Sequence, residues 1–214
     1  MVTDYRIDVA EVLRYLGAKP DKATEDLIRS CAETLISVAR PQYVWKEFTL
    51  DGLKIVGSGA ELLGKTAATW LEGCDGCAFL AATLGIEADM LIRRAQNTDM
   101  ARAVVYDACA TDLIEKVCDR AQDEIKALAE SEGLLITDRF SPGYGDFPIE
   151  FQRDLCNILD ITRRLGICLT DNFLLTPTKS VTAVVGIGNP QNRIGKGCRN
   201  CNMKNHCKLR GISN

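Results

Sequence analysis

The chain has 214 residues, of which 46% are hydrophobic and 26% charged, and a formal net charge of −3. That is enough apolar material for one substantial core, and too little charge imbalance to suggest disorder or general nucleic-acid binding. No apolar run approaches the roughly 18 residues a membrane span requires, and the opening MVTDYRIDVAEVL lacks the basic-then-apolar order of a secretory signal. A cytoplasmic protein is expected, with its ten cysteines reduced or metal-bound rather than disulfide-bonded.

In chain order, apolar residues at helical spacing predict helices over 7–16 and 24–39, the second started by Thr24, Glu25 and Asp26. Residues 43–50 and 53–56 flank Asp51-Gly52, the two-residue signature of a hairpin. Residues 60–70 read as helix, 77–84 as a buried strand between glycines, and 86–96 as helix. From about 99 to 129 one stripe of Val105, Cys109, Leu113, Val117, Ala121, Ile125 and Leu128 recurs at steps of three or four. This predicts a long core-spanning helix capped by Thr98 or Asp99 and stopped by Gly133. A strand over 134–137, a helix over 149–159 and a strand over 180–187 complete the pattern. Strands and helices do not alternate regularly, so the fold class is α+β.

Two segments carry candidate chemistry. The first is the loop TDRFSPGYGDFP, residues 137–148, where proline and glycine shape the backbone around Arg139 and Tyr144, between Asp138 and Asp146. The second is residues 191–214, a tail whose Cys198, Cys201 and Cys207 make a C-x2-C-x5-C cluster. Six Lys or Arg and no Asp or Glu lie in that tail. Its composition suits zinc or an iron–sulfur cluster, with a fourth ligand from His206 or from the distant Cys168, and its basic charge suits an acidic partner surface. Cys74 and Cys77 in EGCDGC read as packing residues, as do Cys31, Cys109, Cys118 and Cys156. With His206 the only histidine, histidine-dependent triads and multi-histidine metal sites are excluded. There is no P-loop lysine motif and no nucleophile elbow, and Gly186-Ile187-Gly188 is followed by Asn189-Pro190 rather than by a helix.

Arg139-x-x-Pro142-Gly143-Tyr144-x-x-x-Pro148 resembles the R-x-x-P-G-Y-x-x-x-P signature of the S-adenosylmethionine-binding reactivation domain of cobalamin-dependent methionine synthase. The stretch GCDGCAFLAATLG, the long helix and LTDNFLLTPTKSV resemble further segments of that family in the same order, so the likeness spans most of residues 1–190. It implies one C-shaped α+β domain, residues 1–190, with a twisted, mainly antiparallel sheet and flanking helices, followed by the cysteine-rich tail. It also implies that S-adenosylmethionine lies beside Arg139 and Tyr144, with Pro142 and Gly143 shaping the backbone. Asp138 and Asp146 are further candidates, toward the sulfonium or the ribose hydroxyls.

The function implied is that of a reactivation subunit. Such a domain docks on a corrinoid protein and supports reductive methylation of inactive cob(II)alamin from S-adenosylmethionine. The D-x-H-x-x-G motif that coordinates cobalt is absent, so cobalamin must come on a partner: a methionine synthase lacking its own reactivation domain, or another corrinoid methyltransferase. A tail cluster would then suit electrons from a donor protein. Two departures stand against the pattern. The P-D-H that follows the tyrosine in the family is replaced by Gly145-Asp146-Phe147-Pro148, and Val184 and Val185 stand where the family has an aromatic pair. The alternative is a non-catalytic binding or scaffold module with a zinc-stapled tail.

Overall fold

In the computed structural model, which describes residues 5–190, the first two helices begin where short acids can cap them. Asp8 accepts from the Ala10 amide at 2.8 Å to start α1 (Val9–Leu16), and Asp21 accepts from the Thr24 amide at 3.0 Å to start α2 (Lys22–Val38). Each bond satisfies an amide that the first helical turn leaves without a partner. β1 (Gln42–Asp51), β2 (Lys54–Ile55), α3 (Lys65–Trp70), β3 (Cys74–Thr83), α4 (Ile86–Thr98) and α5 (Met100–Ser131) follow. The stripe of apolar residues seen in the sequence becomes the 32-residue helix α5, capped by Asp99. After β4 (Leu135–Ile136) come α6 (Phe151–Leu159), α7 (Ile161–Leu165), the small pair β5 (Cys168–Leu169) and β6 (Leu175–Thr176), and β7 (Ser180–Gly188).

The main sheet is antiparallel throughout, in the order β2-β1-β3-β7-β4. The α+β class expected from the sequence is the class found. Residues 77–82 of the central strand β3 are fully buried, because helices cover both faces of the sheet. Leu80 and Ala82 join the core formed with α1, α2, α4 and α5, while Ala78 meets Ile125 and Ala129 of α5. Cys77, Phe79 and Ala81 point to the opposite layer, built from Phe140, Phe147, Phe151, Leu155 and Ile161. A strand covered on both sides reads as a continuous apolar run rather than an alternation, which is why CAFLAATL was legible. Its alanines leave room for the covering elements, and a larger side chain there is expected to cost about 1–3 kcal/mol.

Two local expectations are corrected. The hairpin pairs Asp51 with Lys54, so its two-residue loop is Gly52-Leu53 rather than Asp51-Gly52. Gly52 has φ +62°, and the positive φ at the first loop position alone is the pattern of a II′ turn. Residues 60–64 are extended, not helical: Ile55 donates to the Ala60 carbonyl at 2.9 Å and Leu62 to the Leu53 carbonyl at 2.8 Å. These bonds hold the segment against the hairpin, and helix begins only after Gly64. In addition, α7, β5 and β6 had no clear signal, being too short to show a period.

Five of the cysteines among the described residues behave as small core hydrophobes. Cys31, Cys77, Cys109, Cys118 and Cys156 are buried. Burial pushes the Cys77 and Cys109 thiols up to about 12, and Cys74 and Cys156 to about 11. These are packing groups, poorly suited to nucleophilic work.

Candidate functional site

The loop that stood out in the sequence begins as an extension of the sheet edge. Beyond the two residue pairs of β4 with β7, the Thr137 amide donates to the Gly186 carbonyl at 2.9 Å, and Thr137 Oγ1 accepts from the Gly186 amide at 2.8 Å. Phe140 and Val184 then exchange two backbone hydrogen bonds, at 3.0 and 2.8 Å. Neighbouring side chains on such a segment go to opposite faces. Phe140 enters the aromatic layer, its ring 5.2 Å from Trp70 and 5.5 Å from Phe147, and Arg139 turns to α5.

Three side chains of α5 receive the Arg139 guanidinium. Nη1 donates to Asp119 Oδ1 at 2.6 Å and to Gln122 Oε1 at 2.9 Å, while Nη2 donates to Glu115 Oε2 at 2.5 Å. The Arg139 side chain is 12% exposed, whereas Glu115 and Asp119 are 46% and 47% exposed. Desolvation lowers the arginine pKa, but the hydrogen bond to Asp119 and the field of both acids outweigh it, so the net shift is upward and the group is permanently charged. The result is a fixed cation beside two carboxylates that still face water. Sequence reasoning found Arg139 but missed its acceptors. Their signal was the i, i+4, i+7 spacing of Glu115, Asp119 and Gln122, which sets three polar groups in a row on a mostly buried helix.

Beyond Phe140 the chain makes two tight turns. The Tyr144 amide donates to the Ser141 carbonyl at 3.1 Å around Pro142 and Gly143, whose φ of +89° completes the type II pattern. The Phe147 amide then donates to the Tyr144 carbonyl at 2.9 Å, and the Gly143 amide to the Phe147 carbonyl at 2.9 Å, closing the loop on itself. Gly145, at φ +58°, passes so near α3 that a Cβ there would lie 2.2 Å from Thr66 Oγ1. Tyr144 is left at the apex, 56% exposed.

Asp146 is drawn to another element. Its carboxylate accepts from the Lys65 and Thr66 amides, each at 2.8 Å, and so caps α3, whose own cap residue Gly64 has no side chain. The hydrogen bonds from Thr66, followed by that from Lys65, hold this carboxyl at about 2. Asp138 contributes its carbonyl, which accepts from Trp70 Nε1 at 2.8 Å and from the Thr137 hydroxyl at 2.9 Å.

The structure therefore gathers Arg139, Pro142, Gly143 and Tyr144 on one rigid loop, and commits both oxygens of Asp146 to holding that loop on α3. Cys168 is exposed in the separate β5-β6 pair. Cys198, Cys201, His206 and Cys207 lie outside the described residues. Among the described residues no group of three or more His, Cys, Asp or Glu side chains is placed to hold a metal ion, and no helix is long and apolar enough to cross a membrane. Val184 and Val185, which stand where the aromatic pair was looked for, are fully buried on opposite faces of β7.

No family model and no curated protein matches the chain. Among solved structures it is similar to the crystal structure of the MetH reactivation domain bound to AdoHcy, with a TM-score of 0.63 and 15% sequence identity, over 87% of this chain and 75% of that one. At that identity the likeness is one of fold.

Proposed function

We propose that this chain binds S-adenosylmethionine at the Arg139–Tyr144 loop and serves as a reactivation module for a corrinoid protein. The observation that carries the reading is the fixed guanidinium of Arg139, set between two water-facing carboxylates and next to a type II turn that leaves Tyr144 exposed. Similarity of fold to a reactivation domain crystallised with AdoHcy supports it.

The residues fit such a ligand in charge. S-adenosylmethionine carries a carboxylate, an ammonium and a sulfonium; a guanidinium meets the first in a two-pronged geometry, and carboxylates attract the other two. Arg139 is the group for the carboxylate, and Glu115 and Asp119 are the groups for the cationic centres. A ligand carboxylate would replace one acceptor on Arg139 by another of the same kind, so affinity depends on the contacts added around that exchange. Tyr144 offers its hydroxyl from the apex, and Gly143, whose missing side chain makes room for Ile149, shapes the turn that presents it. A corrinoid carried by the partner, once reduced by one electron from a donor protein, would supply the cobalt for the methyl group, with S-adenosylhomocysteine as the leaving product. This chain binds the donor, orients it and covers the site.

A second reading follows from the same arginine. With three acceptors already in place, Arg139 is also suited to bolt the β4 edge to α5, as a scaffold that had lost the ligand would need. Calorimetric titration of the full chain with S-adenosylmethionine and with S-adenosylhomocysteine, beside Arg139→Ala, separates the two. Saturable binding weakened about tenfold or more by the substitution, a typical loss for a charge-assisted hydrogen bond, supports the ligand site. No saturable heat at millimolar ligand, with and without an added corrinoid protein, would favour the scaffold.

A further inference from the structure

At the far edge of the sheet from Arg139, a groove of about 320 Å³ is lined by Tyr5, Pro41, Gln42, Tyr43, Arg120, Arg164 and Leu165. Its two guanidiniums come from different elements, Arg120 from the middle of α5 and Arg164 from the last turn of α7. Tyr43 stands at the start of β1, its hydroxyl donating to Glu124 while Trp45 Nε1 donates to the same carboxylate at 3.0 Å. Glu124 is thereby committed to two donors on β1, and among the described residues no Asp or Glu lines the groove. Arg120 lies against the Tyr43 hydroxyl, and among the described residues neither arginine makes an ion pair with an acid.

The charge around this groove makes it unusual. Six of the 26 Lys and Arg but none of the 29 Asp and Glu lie beyond residue 190, so residues 1–190 carry nine more negative than positive charges. Two arginines on one concave wall stand out on such a surface, and although the nearby Glu124 offsets part of the Arg120 charge, the concavity concentrates their field on an incoming anion. The flanking phenol rings, Pro41 and Leu165 give flat and apolar surface for whatever carries that anion. Paired guanidiniums favour an oxyanion that accepts two forks at once, which a phosphoryl group does and a monocarboxylate does only in part.

We propose that this groove binds a small phosphate-bearing molecule, its phosphoryl group held between Arg120 and Arg164 and its carrier against Tyr5, Tyr43 and Pro41. The site is independent of the Arg139 loop, which contacts the opposite edge of the sheet.

The test is titration of the full chain with inorganic phosphate and, separately, with adenosine monophosphate, at low and at near-physiological salt, for the native protein, Arg120→Ala, Arg164→Ala and the double variant. Saturable binding that weakens with salt, falls at least about fivefold in each single variant and disappears in the double variant is expected. Tighter binding of the nucleotide than of phosphate assigns part of the affinity to the carrier, and equal binding assigns it all to the anion. Both arginines are exposed, so thermal unfolding curves should be unchanged and serve as the folding control. Saturating S-adenosylmethionine should leave nucleotide binding intact, which separates this site from the one at Arg139. No saturable binding of either probe, or binding that the substitutions do not move, would overturn the proposal.

Discussion

Arg139→Ala tests the fold and the site together, and its cost can be worked from the contacts. The change removes three hydrogen bonds, two of them to carboxylates. Bonds to charged groups are worth up to about 3 kcal/mol each when desolvated, but Glu115 and Asp119 are nearly half exposed and would rehydrate. Screening reduces each ion pair toward the roughly 0.2–1 kcal/mol of surface pairs. Adding about 1 kcal/mol for the Gln122 bond and a similar amount for the buried stem gives about 2.5–4 kcal/mol in all. At about 2–4 °C per kcal/mol for a chain of this size, Tm should fall by roughly 5–16 °C. Arg139→Lys should retain part of this, since one ammonium cannot bridge three acceptors in a plane. Urea unfolding of both variants is the assay. A loss below about 0.5 kcal/mol for the alanine variant, in the range of a neutral surface substitution, would refute the account of Arg139 as a fixed cation.

Two further outcomes follow from the neighbouring loop. Gly145→Ala should destabilise by more than the roughly 1 kcal/mol of a positive φ alone, because its Cβ meets Thr66 Oγ1, and Thr66→Ala should restore part of the loss; equal stability of the single and double variants in urea would contradict the close approach. Asp146 has a folded pKa of about 2, below the ordinary value near 4, so its contribution is present above about pH 4 and is lost as the pH falls toward 2. Asp146→Asn should therefore show a flatter stability profile between those limits, and an unchanged profile would mean that the carboxylate does not cap α3.

The parts of this architecture that could be read in the sequence are those whose partners lie close along the chain or whose pattern is long. α5 shows a stripe over 32 residues, and β3 and β7 show continuous apolar runs because both of their faces are covered. The rest depends on contacts across distance. Asp146 caps a helix 80 residues earlier, so its residue type suggested a ligand contact while its hydrogen bonds serve α3. The segment 60–64 carries helix-compatible residues, yet bonds to the hairpin keep it extended. In the hairpin itself, the strand register moved the turn by one residue from its Asp-Gly signature. The loop with Arg139 and Tyr144 was legible because its proline and glycines fix local turns; the acceptors of Arg139 on α5 were visible only as a spacing whose meaning needed the tertiary contact.

The loop is held at three places by three different elements: Phe140 in the aromatic layer, Asp146 on the amides of α3, and Arg139 on α5. Gly143 and Gly145, at positive φ that glycine adopts without strain, let the segment close on itself and approach Thr66. What this anchoring leaves exposed is specific: the Tyr144 side chain and the water-facing sides of Glu115 and Asp119. Rigidity around a small set of exposed acidic and phenolic groups beside a fixed cation reduces the ordering cost of binding a zwitterionic ligand. The same anchoring also ties the site to the stability of the sheet edge, because Arg139 belongs to both. A variant that loosens the edge should thus lose affinity even with every ligand-facing group intact, and it is the affinity of Arg139→Lys relative to its stability that separates a bolt from a binding group.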